Sequence, residues 1–541
     1  MKFSGNKPLW LAFVVGLALR LWGITNPLAD FHEFRQTYTA LFARHFYAHG
    51  MNILTPDVGI HNYSNISEFQ VYPFLVACLY HVFGEHDVIG RLVAVAFSMA
   101  TMWMLFLLVS RYFSKRAGYI AAMLFAILPT AVYYSRVFML ESMMLFLATS
   151  SIYTLTRWLD DRGRRYWILA VATGALALLI KIPSAYLVLP FAFLFFNRFR
   201  FGAFRRPEVY LTAAIVGAPA VYWYFLHARL FPDAGIVDQR VASLYLGDAA
   251  MAAYGQLLSQ GKTWSTLFFT RIGELHLAIS GMVFLVAALT IRFVSFVRES
   301  DRGASWKAGS DFFERGKERD LWGQSREQLV FVLWIVGVLA FVFAFIGPNL
   351  IHEYYQMPIL PPSVALIAGY LDAVWSRYEK NAVRKNAILL GVHAVLFAAI
   401  LPFCLIKVSA RLQIDPLYYE YSLIAREHVP PGAEIIYVDP MPRTEVFYHM
   451  GRQGYMLNPN LLPLGGGHFL APPGAEEDLR ASIREFHDSG GRFLAIPYPQ
   501  FSLYFPETRE RLDSAAGNLV GSGQNGFLYD LDDVDPEALA E

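Results

Sequence analysis

The sequence predicts a polytopic α-helical membrane protein of about eleven transmembrane helices, followed by a C-terminal soluble α/β domain. Three observations predict it: the composition, a series of apolar runs near the length of a bilayer span, and a change of texture after Ser409. The 541 residues are 55% hydrophobic, 16% aromatic and only 16% charged, with a mean hydropathy of +0.37. A soluble enzyme carries about a quarter charged residues. The formal net charge of +1 gives no sign of nucleic-acid binding, so no nucleic-acid partner is expected and the lipid bilayer is. Cys78 and Cys404 both lie in apolar surroundings and suggest neither a disulfide framework nor a metal cluster.

The apolar runs fall at Pro8–Ile24, Ile89–Val109, Arg116–Tyr134, Met139–Trp158, Trp167–Ile180, Ala185–Asn197, Val209–Leu226, Leu275–Phe296, Leu329–Gly347, Met357–Trp375 and Ala387–Val408. Lys2 and Lys7 ahead of the first run suit a signal peptide, but no small-x-small cleavage site follows, so it reads as an uncleaved span. Basic residues fall on every second connection. They are Arg111, Lys115 and Arg116; Arg157, Arg162, Arg164 and Arg165; Arg198, Arg200, Arg205 and Arg206; the run Arg292 to Arg326; and Arg377, Lys380, Arg384 and Lys385. By the positive-inside rule these face the cytoplasm with the N-terminus, which expects a multi-pass protein of the cell's inner (plasma) membrane.

The remaining connections then face outward: 26–87, the turn around Arg136, the turn at Lys181, 229–274, 348–356 and everything after Ser409. The two long ones, 26–87 and 229–274, are rich in aromatic and polar residues, as functional loops tend to be. Val71–Gly84 is apolar but too short to span, and with Asp248–Phe269 is expected to lie along the membrane surface. A module over 1–408 and an extracytoplasmic α/β domain over 409–541 follow from this division. In the latter, strand-like runs at Glu434–Val438, Arg492–Ile496 and Gly526–Leu531 alternate with helical ones at Thr444–Met450 and Glu476–His487. Gly465-Gly466-Gly467 reads as a flexible turn and Arg298–Arg326 as a solvated loop.

Chemistry-bearing residues gather on the outer face. Asp30 and Glu33 follow the first span in Asp30-Phe31-His32-Glu33, where a carboxylate at a membrane edge is costly without a partner or a task. Glu68 precedes Tyr72-Pro73, Arg136 and Glu141 flank the second outer turn, Lys181 ends a span before Pro183, and His352 opens a turn with Tyr354, Tyr355 and Pro358. Converging on one cavity, a carboxylate serves as general base toward a hydroxyl while Lys, Arg and His hold an anionic leaving group such as phosphate. Each has a plainer reading: Asp30 as a solvated loop acid, Glu68 as a helix cap, Arg136 and Glu141 as an ion pair between span ends, Lys181 as a snorkelling lysine, His352 as a structural histidine. His32, His61 and Glu68 suggest a metal only without regular spacing, which leaves the metal unknown and a divalent cation compatible.

In order, an acidic motif closing the first span, Glu-x-x-x-Tyr-Pro, Tyr-Ser-Arg-x-x-x-x-Glu, Lys-x-Pro and His-x-Tyr-Tyr-x-x-Pro resemble the GT-C glycosyltransferases. Nearest is the family-39-like branch of protein O-mannosyltransferases and the lipid A aminoarabinose transferase, over about Pro8–Pro362. The resemblance implies a GT-C fold and a hexosyl or pentosyl transferase. It would move a sugar from a polyprenyl-phosphate donor to an extracytoplasmic lipid, glycan or protein acceptor, with inversion. It further implies Asp30 as base with Glu33 as the second candidate, Glu141 as a functional acid, and Glu68 as an acid shaping the site. Arg136 and Lys181 are implied for the carrier phosphate, and His352, with Tyr354 and Tyr355 beside it, for the phosphate or sugar. Many relatives carry adjacent Asp and Glu where two residues intervene here, so either acid is open as base. The rival class is a lipid-linked sugar flippase or transporter. Transporters place ionisable residues near mid-membrane, whereas these span centres are nearly free of charge.

Overall fold

The computed structural model describes residues 6–63, 68–230, 248–301, 325–380, 384–441, 443–459, 461–465, 468–520 and 526–534. Parts of both long outer loops, most of the charged segment Arg298–Arg326, and Gly466-Gly467 of the expected flexible turn lie outside the described residues. The first helices are α1 (Lys7–Leu21), α2 (Glu33–His49), α3 (Val71–Phe83), α4 (Asp87–Tyr112) and α5 (Lys115–Ile127). They are followed by α6 (Pro129–Tyr133), α7 (Glu141–Asp161) and α8 (Arg164–Ile180).

Two features of this bundle come directly from single residues. Pro129 has no N–H to offer Phe125 and ends α5. The carbonyls so orphaned are taken by Arg20 of α1, wholly buried, which donates to Phe125 O at 3.0 Å and Ala126 O at 3.2 Å, and also to Ala131 O at 3.0 Å and Ser98 Oγ at 2.7 Å. The expected span Leu275–Phe296 is not one rod. Gly261–His276 and Ser280–Ser295 meet at 109°, with His276 held between Thr130 Oγ1 and the Glu353 carbonyl and Ala278 in the left-handed region at φ 51°.

Among the described residues, six helices are long and apolar enough to cross a membrane, or seven with that bent pair as one span. The other expected spans form shorter or more polar helices. They include α1 with 15 residues, α5 with 13, and α7, whose buried face carries Ser142, Thr149, Ser150 and Ser151. The fold is thus a helical membrane protein, and the figure of eleven stays an expectation. Val71–Gly84 forms the short apolar helix α3, while α2, in the same outer connection, interrupts a stretch expected to be a loop.

The C-terminal part forms a four-stranded sheet ordered β2-β1-β5-β6: β1 (Glu434–Val438), β2 (Gly454–Leu457), β5 (Gly491–Ile496) and β6 (Phe527–Asp530). A separate two-stranded ribbon pairs β3 (Leu462–Gly465) with β4 (His468–Leu470). β1 runs parallel to β2 and β5, and β6 returns antiparallel. The two-residue period of β1 divides two cores: Ile435 and Tyr437 join the core of the helical bundle, whereas Ile436 and Val438 join a second one under the helix Ala475–Asp488.

The sheet is tied to the first outer connection. His61 N donates to Gly454 O at 2.9 Å and Gly454 N to Gly59 O at 3.2 Å, across a position where only glycine fits, since φ is +146° and a Cβ would meet Ile435 O at 2.0 Å. Arg44 donates to Tyr448 O at 2.8 Å and Thr37 meets Thr444 at 3.0 Å, so α2 is packed between bundle and sheet.

Candidate functional site

The chain leaves α1 at Leu21 and turns through Asp30 into α2, with His32 as the residue before its first turn. Asp30 is fully buried, and both of its oxygens are occupied. Gln36 donates to Oδ1 at 2.5 Å and Arg91 at 3.3 Å, while Arg136 donates to Oδ2 at 2.9 Å. Arg136 also donates to Gly23 O, and Arg91 to the carbonyls of Asn26 at 2.8 Å and Pro27 at 3.1 Å. The plainer reading of Arg136 and Glu141 as an ion pair is not what forms; Arg136 stands on Asp30, inside the protein. Asp30 and the two arginines thereby knot the loop after α1 onto α4 and onto the turn before α7. A buried pair of this kind is costly to break, because the remaining charge is left without compensation.

A second cluster draws on four segments. α8 stops at Ile180, since Pro183 cannot continue it, and leaves Lys181 extended at φ −150°. Lys181 is 3% exposed; its Nζ pairs with Glu141 and lies 3.9 Å from Glu68. Glu141 is the first residue of α7, where the helix dipole favours a carboxylate. Glu68 pairs in turn with Arg35, in the first turn of α2. The ammonium of Lys181 also lies 4.8 Å from the ring of Tyr354 and 4.9 Å from that of Tyr355, within cation–π range.

The tyrosines belong to the tight turn Glu353–Ile359, which contains Pro358 and begins immediately after His352. The His352 ring lies 5.2 Å from Tyr354 and 5.5 Å from Tyr355, and its Nδ1 is buried without a hydrogen-bond partner among the described residues. His32 lies 5.1 Å from Tyr354 and 6.1 Å from His352 between ring centres, so the three rings form a triangle. Behind this turn Glu353 accepts from Arg411 at 2.6 Å and from the Tyr134 hydroxyl at 3.0 Å, and pairs with Arg271.

Lys181, Glu141, Glu68, His352, Tyr354 and Tyr355 are therefore brought together, and Asp30, Arg136 and Glu33 are placed beside rather than within that group. Glu33 turns to the sheet side: its carboxylate accepts from Arg443 at 3.0 Å. Burial, reinforced by the carboxylates of Glu445, Asp415 and Asp30, pushes Glu33 up to about 8, against the pull of Arg443. His32 moves the other way. Burial lowers it to about 4, with His352, Arg411 and Arg271 adding to the effect and Glu353 opposing it.

Arg35, Arg271, Glu353 and Arg411 complete the surroundings and were not singled out from the sequence. Arg411 and Glu353 are 58 residues apart, and no local pattern announces such a pair. Arg91 and Arg20, in contrast, each sit inside an apolar run, the one signal that marks a charge as paired or functional. Among the described residues, no three His, Cys, Asp or Glu side chains are arranged to hold a metal ion; His61 instead meets Glu434 at 2.9 Å.

Residues 70–224, which contain Arg136, Glu141 and Lys181, match the family model described as dolichyl-phosphate-mannose-protein mannosyltransferase. Among solved structures, ArnT from Cupriavidus metallidurans bound to undecaprenyl phosphate is similar with a TM-score of 0.53 at 14% identity, covering 84% of this chain and 86% of that one. The Archaeoglobus fulgidus oligosaccharyltransferase, tethered to an acceptor peptide containing the NVT sequon, is similar with a TM-score of 0.56 at 13% identity, covering 93% and 70%. A search of curated proteins finds no match. The chain resembles GT-C glycosyltransferases of the protein mannosyltransferase branch, and with the solved structures it shares the fold.

Proposed function

We propose that this chain is a membrane glycosyltransferase that takes a sugar from a polyprenyl-phosphate donor and passes it, with inversion, to an acceptor hydroxyl outside the cytoplasm. The observation that carries the reading is the convergence of Lys181, Glu141, Glu68 and Arg35 from four segments beside His352, Tyr354 and Tyr355. Lys181 and Arg35 are cations already held by carboxylates in a largely dry site, where each is worth far more to a phosphate than in water. Glu141 and Glu68 keep them aimed until a donor phosphate competes for them. Tyr354 and Tyr355 offer ring faces to the sugar or to the first isoprene unit. The family match over 70–224 supports the same reaction class.

The distribution of basic connections supports an outer-face position, at the inner membrane, for this cluster and the C-terminal α/β unit, 409–541. The acceptor is then an envelope lipid, glycan or protein.

The test is transfer by the full chain in proteoliposomes, using undecaprenyl-phosphate-linked mannose, glucose and 4-amino-arabinose as donors. Release of undecaprenyl phosphate together with a new glycoside is expected from one of them. Lys181→Met lowers that rate by about 10²–10³-fold, as removal of one preorganised stabiliser does. Passage of intact donor across the bilayer without bond cleavage contradicts the reading and selects the transporter. Comparison of envelope glycans with and without the chain identifies the acceptor.

A further inference from the structure

We infer that Arg443, which belongs to the C-terminal α/β unit, is a positioning residue for the donor-phosphate site: it holds the first turn of α2 and through that turn aims Arg35. The inference rests on the transfer reaction proposed above and adds the part that the C-terminal unit plays in it.

α2 begins without a cap of its own. His32, the residue before its first turn, stands in the left-handed region at φ 62° and ψ 36°, and its side chain makes no capping hydrogen bond. A helix start of this kind keeps its place through what is packed on it.

Two groups are packed on it, from opposite sides. Glu33 and Thr37, four residues apart, share the side that meets the C-terminal unit. Arg443 Nη1 donates to Glu33 Oε1 at 3.0 Å, while the Thr444 hydroxyl meets that of Thr37 at 3.0 Å and donates to Phe34 O at 3.2 Å. Arg35, two residues beyond Glu33, lies about 200° round the helix from it. There it pairs with Glu68, whose carboxylate is 3.9 Å from Lys181 Nζ. The first turn is thus gripped between Arg443 with Thr444 on one side and the donor cluster on the other.

Arg443 is itself fixed for this task. Its guanidinium lies 4.3 Å from the ring of Tyr418, and its Nη1 is 3.6 Å from Glu445 Oε1. Glu445 is 1% exposed, and neither of its oxygens has a hydrogen-bond partner among the described residues. With the buried Asp439 also nearby, one guanidinium serves three carboxyl groups, and its removal leaves them without a counter-charge.

The grip matters when the donor arrives. A phosphate that takes Arg35 from Glu68 releases the first turn on that side, and Arg443 and Thr444 keep the turn from following. Arg35 then meets the phosphate from a fixed point, with less freedom left to lose on binding. The far end of α2 is held separately, by Arg44 on the Tyr448 carbonyl at 2.8 Å, so loss of Arg443 frees the first turn and not the helix.

The experiment measures undecaprenyl phosphate binding and sugar transfer by the full chain in wild type, Arg443→Met, Arg35→Met and the double variant. Arg443→Met is expected to weaken binding by about tenfold, the lower range for a hydrogen bond to a charged group, and to raise the donor KM alike while kcat is nearly unchanged. Added to Arg35→Met, it is expected to cost nothing more, because it acts through Arg35. Arg443→Lys keeps a cation beside Glu33 and returns most of the affinity. Thr444→Val removes only the hydroxyl contacts and is expected to weaken binding about threefold; it carries the test where Arg443→Met does not fold. Wild-type affinity in Arg443→Met and Thr444→Val, or losses from Arg443→Met and Arg35→Met that multiply in the double variant, overturns the assignment. A wild type that neither transfers nor binds undecaprenyl phosphate overturns the glycosyltransferase reading itself.

Discussion

Asp30 and His32 sit two residues apart and have opposite circumstances. Asp30 is locked between Arg91 and Arg136, all three with side chains excluded from solvent. Replacing it leaves two buried guanidinium groups without a counter-charge, a loss of about 3–5 kcal/mol for a pair of this kind. Asp30→Asn is therefore expected to lower the thermal unfolding midpoint of the purified protein markedly, and to lose activity with it. His32→Gly is expected to keep the midpoint within a few degrees, since it relieves a left-handed histidine that costs about 1–2 kcal/mol. Thermal unfolding in detergent separates the two; equal midpoints for Asp30→Asn and wild type contradict the locked network. The acids at the mouth of the first span were legible in the sequence because they follow an apolar run. Their partners were not, because Arg91 and Arg136 lie 61 and 106 residues further along the chain. Arg91 stood in plain view inside an apolar run, yet it marked a partner for Asp30 only once the fold had brought them together.

At the scale of elements, α2 is the hinge of the arrangement. One face packs on α3, and the other meets the helix Glu445–Met450 of the C-terminal unit. Glu33 and Glu445 face one another across that contact with Arg443 between them, at 3.0 Å and 3.6 Å. Burial pushes Glu33 up to about 8 and Glu445 up to about 7, so the folded protein retains protons that the unfolded chain releases above about 4.5. Stability from this contact is complete below about pH 4.5 and is lost as the pH rises toward 8. The unfolding midpoint should fall between pH 6.5 and 8.5, a window above the range in which His32 contributes, and Glu33→Gln should flatten that fall. An unchanged slope in Glu33→Gln places the pH dependence elsewhere. α2 was hard to read in the sequence because Arg35, Arg44, His45 and His49 break its apolar spacing, although each has a packed or paired position. β2 was missed for a different reason: Gly454-Tyr455-Met456-Leu457 is four residues long and becomes a strand only beside β1. The longer runs of β1 and β5 and the helix Ala475–Asp488 carry enough pattern of their own to be seen.

In the whole molecule, a helical bundle is joined to a C-terminal sheet through the connection that carries His32 and Glu68. The positions of the apolar helices follow from composition and length, which is why most expected spans coincide with helices, six or seven of them long and apolar enough to cross a membrane among the described residues. The breaks at Pro129 and before Val188 follow from Pro129 and Pro183, whereas the one from His276 to Ser280 goes with side chains that meet only in the folded protein. Those breaks turn Lys181, His352 and Tyr354 toward one another, so the irregular backbone is where the chemistry is placed. The most direct measurement of the central claim is a structure of the full chain in a lipid nanodisc with undecaprenyl phosphate added. Its phosphate is expected within hydrogen-bond distance of Lys181 and Arg35, beside His352 and Tyr355. A phosphate bound away from Lys181, with the Lys181–Glu141 pair undisturbed, contradicts it.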